Sequence, residues 1–182
     1  MKIRTIILAT LWSLVALNTF AKVVDDSSEE KAMAKVKAYS IFLYQFSRYV
    51  EWPEARNEDA FVIGVYGTSD VTPALKTLAA TKKINGHSIV VEQIDHSSDI
   101  AKCHVLFVPK SKGLDINALS QKARNNHVLL VTEEMKDAMK EGAVINFVEV
   151  NSRMNFELSM TEANNYDLQV SAALKQLATT VK

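Results

Sequence analysis

The sequence predicts an α/β fold: a three-layer α/β/α sandwich of about six strands, mostly parallel, closing with a C-terminal antiparallel hairpin. Two observations predict it. Between residues 61 and 141, short continuously apolar runs alternate with helical segments, as parallel strands covered on both faces require. After that the register changes, and two apolar runs, AVINFVEVN and RMNFELSM, flank Asn151-Ser152, which reads as a β-hairpin.

The elements follow in order. Residues 1–21 have a basic start at Lys2 and Arg4, an apolar run, and small residues up to Ala21. This is the three-part pattern of a secretory signal peptide cleaved after about Ala21, and the apolar run is short for a membrane span. Residues 22–182 then read as a single α/β domain. From about Glu30 to Val50, Met33, Val36, Phe42, Phe46, Tyr49 and Val50 recur at helical spacing, and Ile41 and Leu43 broaden the stripe. The breadth predicts a helix buried on more than one side, ended by Pro53. FVIGVYG (61–67) reads as a strand and 70–80 as a helix. SIVVEQI (88–94) and CHVLFVP (103–109) are strands, 115–125 a helix, and HVLLVTE (127–133) a strand leading into a helix at 134–141. Thr161 is expected to cap a closing helical region with Val170, Leu174, Leu177 and Val181 on one face.

The chain is 48% hydrophobic and 23% charged, a globular composition. Loss of residues 1–21 leaves 19 basic against 21 acidic residues. With no basic excess, nothing points to nucleic acid or to an anionic membrane surface. Export places the chain where disulfides form, but a lone cysteine has no partner within the chain.

That cysteine adjoins a histidine. On a regular strand Cys103, Val105 and Phe107 share one face and His104, Leu106 and Val108 the other, which rules out a thiol–imidazole dyad and predicts a buried core thiol. His87, His96 and His127 stand in no metal-binding spacing. GTSDV lacks the last glycine of a nucleophile elbow, no phosphate-binding loop appears, and GxxG at Gly64 and Gly67 falls short of a dinucleotide fingerprint. No catalytic residue, cofactor or metal is therefore expected, and the chain reads as a non-enzyme. One ligand site has a physical basis. In a doubly wound sheet, Gly67-Thr68-Ser69-Asp70 and Pro109-Lys110-Ser111-Lys112-Gly113 would flank the crevice where strand order reverses. There Thr68, Ser69, Lys110 and Lys112 would hold a small anion beside a helix N-terminus; the plainer reading is two solvated loops.

Taken together, LYQFSRYVEWP (43–53), FVIGVYG, NGHSIVV (85–91), CHVLFVP, GAVINFVEVNSRMNFEL (142–158) and LQVSAALKQLA (168–178) resemble, in this order, the YfiR family of exported bacterial regulators. The resemblance covers nearly all of residues 31–180. It implies a periplasmic, non-enzymatic protein that binds the periplasmic sensor region of an inner-membrane diguanylate cyclase and represses it, lowering cyclic di-GMP and biofilm formation. Some relatives tie release to redox state through further cysteines, a switch closed to a chain holding Cys103 alone. His87 stands where arginine is usual, Gly142-Ala143 where two glycines are common, Leu158-Ser159 where Ile-Asn is usual, and Ser171-Ala172-Ala173 where Ser-Ser-Lys is usual.

A protein that works by contact uses apolar anchors with a few charges. The hairpin, with Glu149, Arg153, Asn155 and Glu157 on or near its open side, is the first expected surface, and its edge could extend a partner's sheet. Trp52, at the exit of the first helix, is the second. The alternative for each is ordinary: Trp52 covers the end of the core, and the hairpin charges are solvating. A homodimer is a further expected assembly. The competing function is a periplasmic small-molecule-sensing module coupled to a membrane histidine kinase.

Overall fold

The computed structural model describes residues 28–56, 59–110 and 114–182. Residues 37–182 form one compact unit, and residues 28–36 belong to a separate one. The expected signal peptide and Ser111, Lys112 and Gly113 lie outside the described residues.

Helix α1 covers residues 28–49. Tyr39, Leu43, Phe46 and Val50 fall three or four apart and are buried, whereas Met33 and Ile41 are 65% and 43% exposed. The stripe is thus one-sided, narrower than the sequence pattern implied, because a residue's apolar character does not say which side the sheet takes. Nor does Pro53 end α1. The chain has already left the helix at β1 (Val50–Glu51), which pairs antiparallel with β9 (Gln169–Val170).

The main sheet contains the six expected strands: β2 (Ala60–Tyr66), β4 (His87–Ile94), β5 (Val105–Val108), β6 (Leu129–Glu133), β7 (Ile145–Val150) and β8 (Arg153–Leu158). Two-residue strands β3 (Lys83–Ile84) and β10 (Thr180–Val181) extend its edges, giving the order β10-β8-β7-β6-β5-β2-β4-β3. The pairs β2–β4, β2–β5, β5–β6, β6–β7 and β8–β10 are parallel, while β3–β4 and β7–β8 are antiparallel. Both antiparallel pairs turn on two residues with positive φ: Asn85 and Gly86 (50° and 90°), Asn151 and Ser152 (51° and 58°), as tight hairpins favour.

From β2 the chain crosses to β4 through α2 (Val71–Ala79), and from β5 it moves the opposite way to β6 through α3 (Ile116–Asn125). Right-handed crossovers in opposite directions put the two helices on opposite faces, which makes the three layers. On the α1 face, Tyr39, Phe42 and Phe46 meet Phe107, Phe147 and Phe156, with ring centroids 4.7–6.0 Å apart. On the α3 face, Tyr166 is fully buried and donates its hydroxyl to Ser120 O (3.0 Å) and Gly142 O (2.8 Å). Gly142 has φ 102°, and a Cβ there would come within 2.6 Å of Ser120 Oγ. This one glycine is required where the chain re-enters β7.

Two expected helices are replaced. Residues 134–141 form turns, with φ positive at Glu134 and Asp137. Asn146 takes the place of helical hydrogen bonding: its Oδ1 accepts from Met135 N–H (3.2 Å) and Thr132 Oγ1 (2.8 Å), and its Nδ2 donates to Met135 O. The closing region is also not one helix. Ser159, not Thr161, caps α4 (Met160–Asn165); after β9, Ser171 caps α5 (Ala172–Leu177), and β10 follows. Asp167, with φ 56°, breaks the helical run, which lets Val170 reach β1 and Val181 reach β8.

Candidate functional site

At the N-terminal ends of β2 and β5 a short stretch of chain, Trp52 to Arg56, folds over the sheet. Its indole Nε1 donates to His104 O (3.2 Å) and its ring meets Phe61 edge-on at 5.1 Å. Phe61 in turn stacks on the His104 imidazole at 4.5 Å. His104 is 3% exposed, and its ring is held from both sides. Nδ1 accepts from Val62 N–H (3.1 Å), which leaves the proton on Nε2, facing Arg56 O at 3.1 Å. The Arg56 guanidinium donates to Ala101 O (2.8 Å) and Cys103 O (2.7 Å), tying the segment to the end of the 3-10 helix Ser97–Lys102. Beside these groups lies a recess of about 350 Å³, floored by Phe61, Ile84 and His104 and rimmed by Glu51, Trp52 and Glu54 among others.

The structure revises the local pattern of CHVLFVP. Cys103 packs against Gly64, Ile94 and Leu106: a Cβ at Gly64 would overlap its Sγ and come within 2.9 Å of Ile94 Cγ1. Cys103 therefore shares a face with Leu106, and His104 turns toward Phe61. The alternation slips because the regular strand begins only at Val105. Thiol and imidazole remain on opposite sides. Burial pushes the Cys103 thiol up to about 12, with the Glu92 carboxylate adding to it, so it stays protonated and unreactive near neutral pH.

At the opposite ends of the strands, β2 and β5 are neighbours while the chain leaves them in opposite directions, so Thr68, Ser69 and Lys110 do lie at the reversal point. Ser69 Oγ accepts from Val71 N–H (3.2 Å), and Thr68 is exposed. Lys110 is taken up by acidic groups: its N–H donates to Glu133 and its Nζ to Glu134 Oε2 (3.2 Å). Tyr39 donates to Glu134 Oε1 (3.3 Å), and burial together with these two carboxylates pushes its phenol well above the ordinary range. Two carboxylates beside the lysine favour a cation over an anion here.

The hairpin residues do not form one patch. The register Asn146↔Glu157, Val148↔Asn155 and Val150↔Arg153 puts Arg153, Asn155 and Glu157 on one face, and Glu149↔Met154 puts Glu149 on the other. Nor is β8 a free edge. β10 pairs with Glu157 and Leu158, and Lys182 Nζ lies 3.6 Å from Glu157 Oε1; only Arg153 to Asn155 extend beyond it. Sequence reasoning missed β10, for which a two-residue strand leaves no periodic signal, and it missed the roles of Arg56 and Phe61. The Asn-Gly turn before β4 was readable.

Among the described residues, no three His, Cys, Asp or Glu side chains are grouped to hold a metal ion, and no helix is long and apolar enough to cross a membrane. A family model, YfiR/HmsC-like, matches residues 35–179. The chain belongs to the YfiR/HmsC-like family. Membership supports a regulatory role in cyclic di-GMP signalling in general terms. No curated protein matches the chain. Among solved structures, a conserved domain protein from Vibrio cholerae O1 biovar El Tor is 14% identical at a TM-score of 0.55, covering 81% of this YfiR/HmsC-like chain and 60% of its own length. This chain therefore spans about 60% of that protein. Further likenesses are an ABC domain in complex with L-Trp from Streptococcus pneumonia (9%, TM-score 0.48, covering 67% of this chain and 55% of its own) and CD0873, a substrate binding protein with adhesive properties from Clostridium difficile (17%, TM-score 0.45, 68% and 55%). At such identities likeness concerns fold alone.

Proposed function

We propose that the chain is exported to the periplasm on a signal peptide at residues 1–21, and that its single domain, residues 22–182, binds the periplasmic sensor region of an inner-membrane diguanylate cyclase. In this reading it holds the cyclase inactive by contact, without catalysis, lowering cyclic di-GMP and restraining biofilm formation. The observation that carries the reading is the family match across residues 35–179. The partner surface is assigned to the hairpin face bearing Arg153, Asn155 and Glu157, which is charged, accessible and flanked by the half-exposed Val150. Glu149 faces the other way and serves a partner only by reaching around the tip. Trp52 is a separate contact, at the far end of the sheet. The crevice of Thr68, Ser69 and Lys110 takes no part, since Lys110 is held by Glu134. The test is a pull-down from membranes combined with cyclic di-GMP measurement in a deletion strain. Recovery of a cyclase and a rise in cyclic di-GMP on deletion are expected; an unchanged level with no cyclase recovered overturns the reading.

A further inference from the structure

The recess beside Trp52 is within the size range of small-molecule pockets, and its lining has a consistent chemistry. The lining includes the half-buried Trp52, whose ring meets Phe61 edge-on, and the exposed residues Glu51 and Glu54. Both carboxylates are exposed, and neither makes an ion pair with a described residue. The guanidinium of Arg56, the formal positive charge on the lining, directs its two Nη groups onto the carbonyls of Ala101 and Cys103 and away from a ligand. Both ring nitrogens of His104 are engaged by backbone groups, and the Trp52 N–H is engaged by His104 O. What the recess offers an incoming molecule is therefore an indole ring and two carboxylates, with His87 and Asn85 also in its lining.

An indole face attracts cations through its quadrupole, quaternary ammonium groups included, and carboxylates attract the same cations by charge, with hydrogen bonds added where the cation carries N–H donors. We propose that this recess binds a small organic cation, an alkylammonium or guanidinium head seated against Trp52 with Glu51 and Glu54 closing on its charge. The site shares Trp52 with the second expected partner contact and is independent of the hairpin contact: loss of either the recess or the hairpin contact leaves the other standing.

The chain has two tryptophans, Trp12 and Trp52. A Trp12→Phe chain makes intrinsic fluorescence a report on Trp52 alone. The probe is choline chloride at fixed ionic strength, compared with its neutral isostere 3,3-dimethylbutan-1-ol and with benzoate. A saturable change with choline and none with either comparison compound is expected. The double substitution Glu51→Gln, Glu54→Gln, at two exposed positions, is expected to weaken choline binding about tenfold with an unchanged unfolding midpoint. An equal response to the isostere overturns the proposal, as does a saturable response to benzoate alone, choline binding unaffected by the double substitution, or no saturable response at all.

Discussion

At the N-terminal ends of the strands, Trp52, Phe61 and His104 interlock, and the polar atoms of the histidine ring are hydrogen-bonded to the backbone. At the hairpin tip, Glu149 and Arg153 stand exposed on opposite faces of a two-stranded ribbon. The matched register Val65↔Phe107↔Val131↔Ile145 puts Phe61 four residues below a common level and Val150 five above it, about 30 Å apart along the strands. The two expected contact regions are thus separate devices. One is fixed by packing and keeps its shape; the other is held at its tip chiefly by backbone pairing, leaving the side chains of Glu149 and Arg153 open to a partner. Substitutions of the interlocked Phe61 or His104 should register in stability, and substitutions of the exposed hairpin side chains in binding.

The largest stability effect is expected for His104→Ala. The change strips the Phe61 stack and leaves Val62 N–H and Arg56 O facing a void. An unsatisfied buried group costs about 1–3 kcal/mol, to which lost packing adds, so a loss of about 3 kcal/mol is expected. Urea unfolding measures it. A change under about 1 kcal/mol would mean that this end is far less rigid than its hydrogen bonds imply.

Gly64→Ala probes the other side of the same strands. Its Cβ overlaps Cys103 Sγ and crowds Ile94, and overpacking of this kind costs about 1–3 kcal/mol. Cys103→Ala in the same chain vacates the sulfur's place, so the double variant is expected to recover much of the loss. The thiol also carries a pH signature. Its folded value, about 12, lies above an ordinary 9.0. Its contribution is therefore complete well below pH 9 and falls away as pH rises toward 12, by about 1.4 kcal/mol at pH 10. The stability difference between the natural chain and Cys103→Ala should shrink by that amount between pH 8 and 10, as measured by unfolding at each pH.

What the sequence disclosed, and what it hid, divides along the same line. Period-two and continuous apolar runs placed all six long strands, because burial of whole side chains leaves a pattern. The turn signal at Asn151-Ser152 placed the hairpin. The turns at 134–141 were hidden, because Asn146, eleven residues after Met135, does the work of a helix's own hydrogen bonds. The slip at Cys103-His104 was hidden because it depends on Gly64 and Phe61, neighbours only after folding. Of the candidate surfaces, residue types were legible but their faces were not: Glu149 and Arg153 look alike in a list of hairpin charges, and only the register separates them.

That separation gives the smallest effect on stability and the sharpest on function. Arg153→Ala and Glu149→Ala both remove an exposed side chain, so each is expected to change stability by less than about 0.5 kcal/mol. A partner docked on the face of Arg153, Asn155 and Glu157 feels the first substitution and not the second. Arg153→Ala should weaken binding to the cyclase's periplasmic region by about tenfold, the scale of one charged contact, while Glu149→Ala leaves it within twofold. Binding measured by calorimetry or biolayer interferometry separates the outcomes. Equal losses would place the partner across the hairpin tip, where both faces are within reach. A loss only for Glu149→Ala would move it to the α1 face, beside Met154, and no loss for either would take the contact off the hairpin. Because neither side chain supports the fold, each outcome reads the partner's position directly.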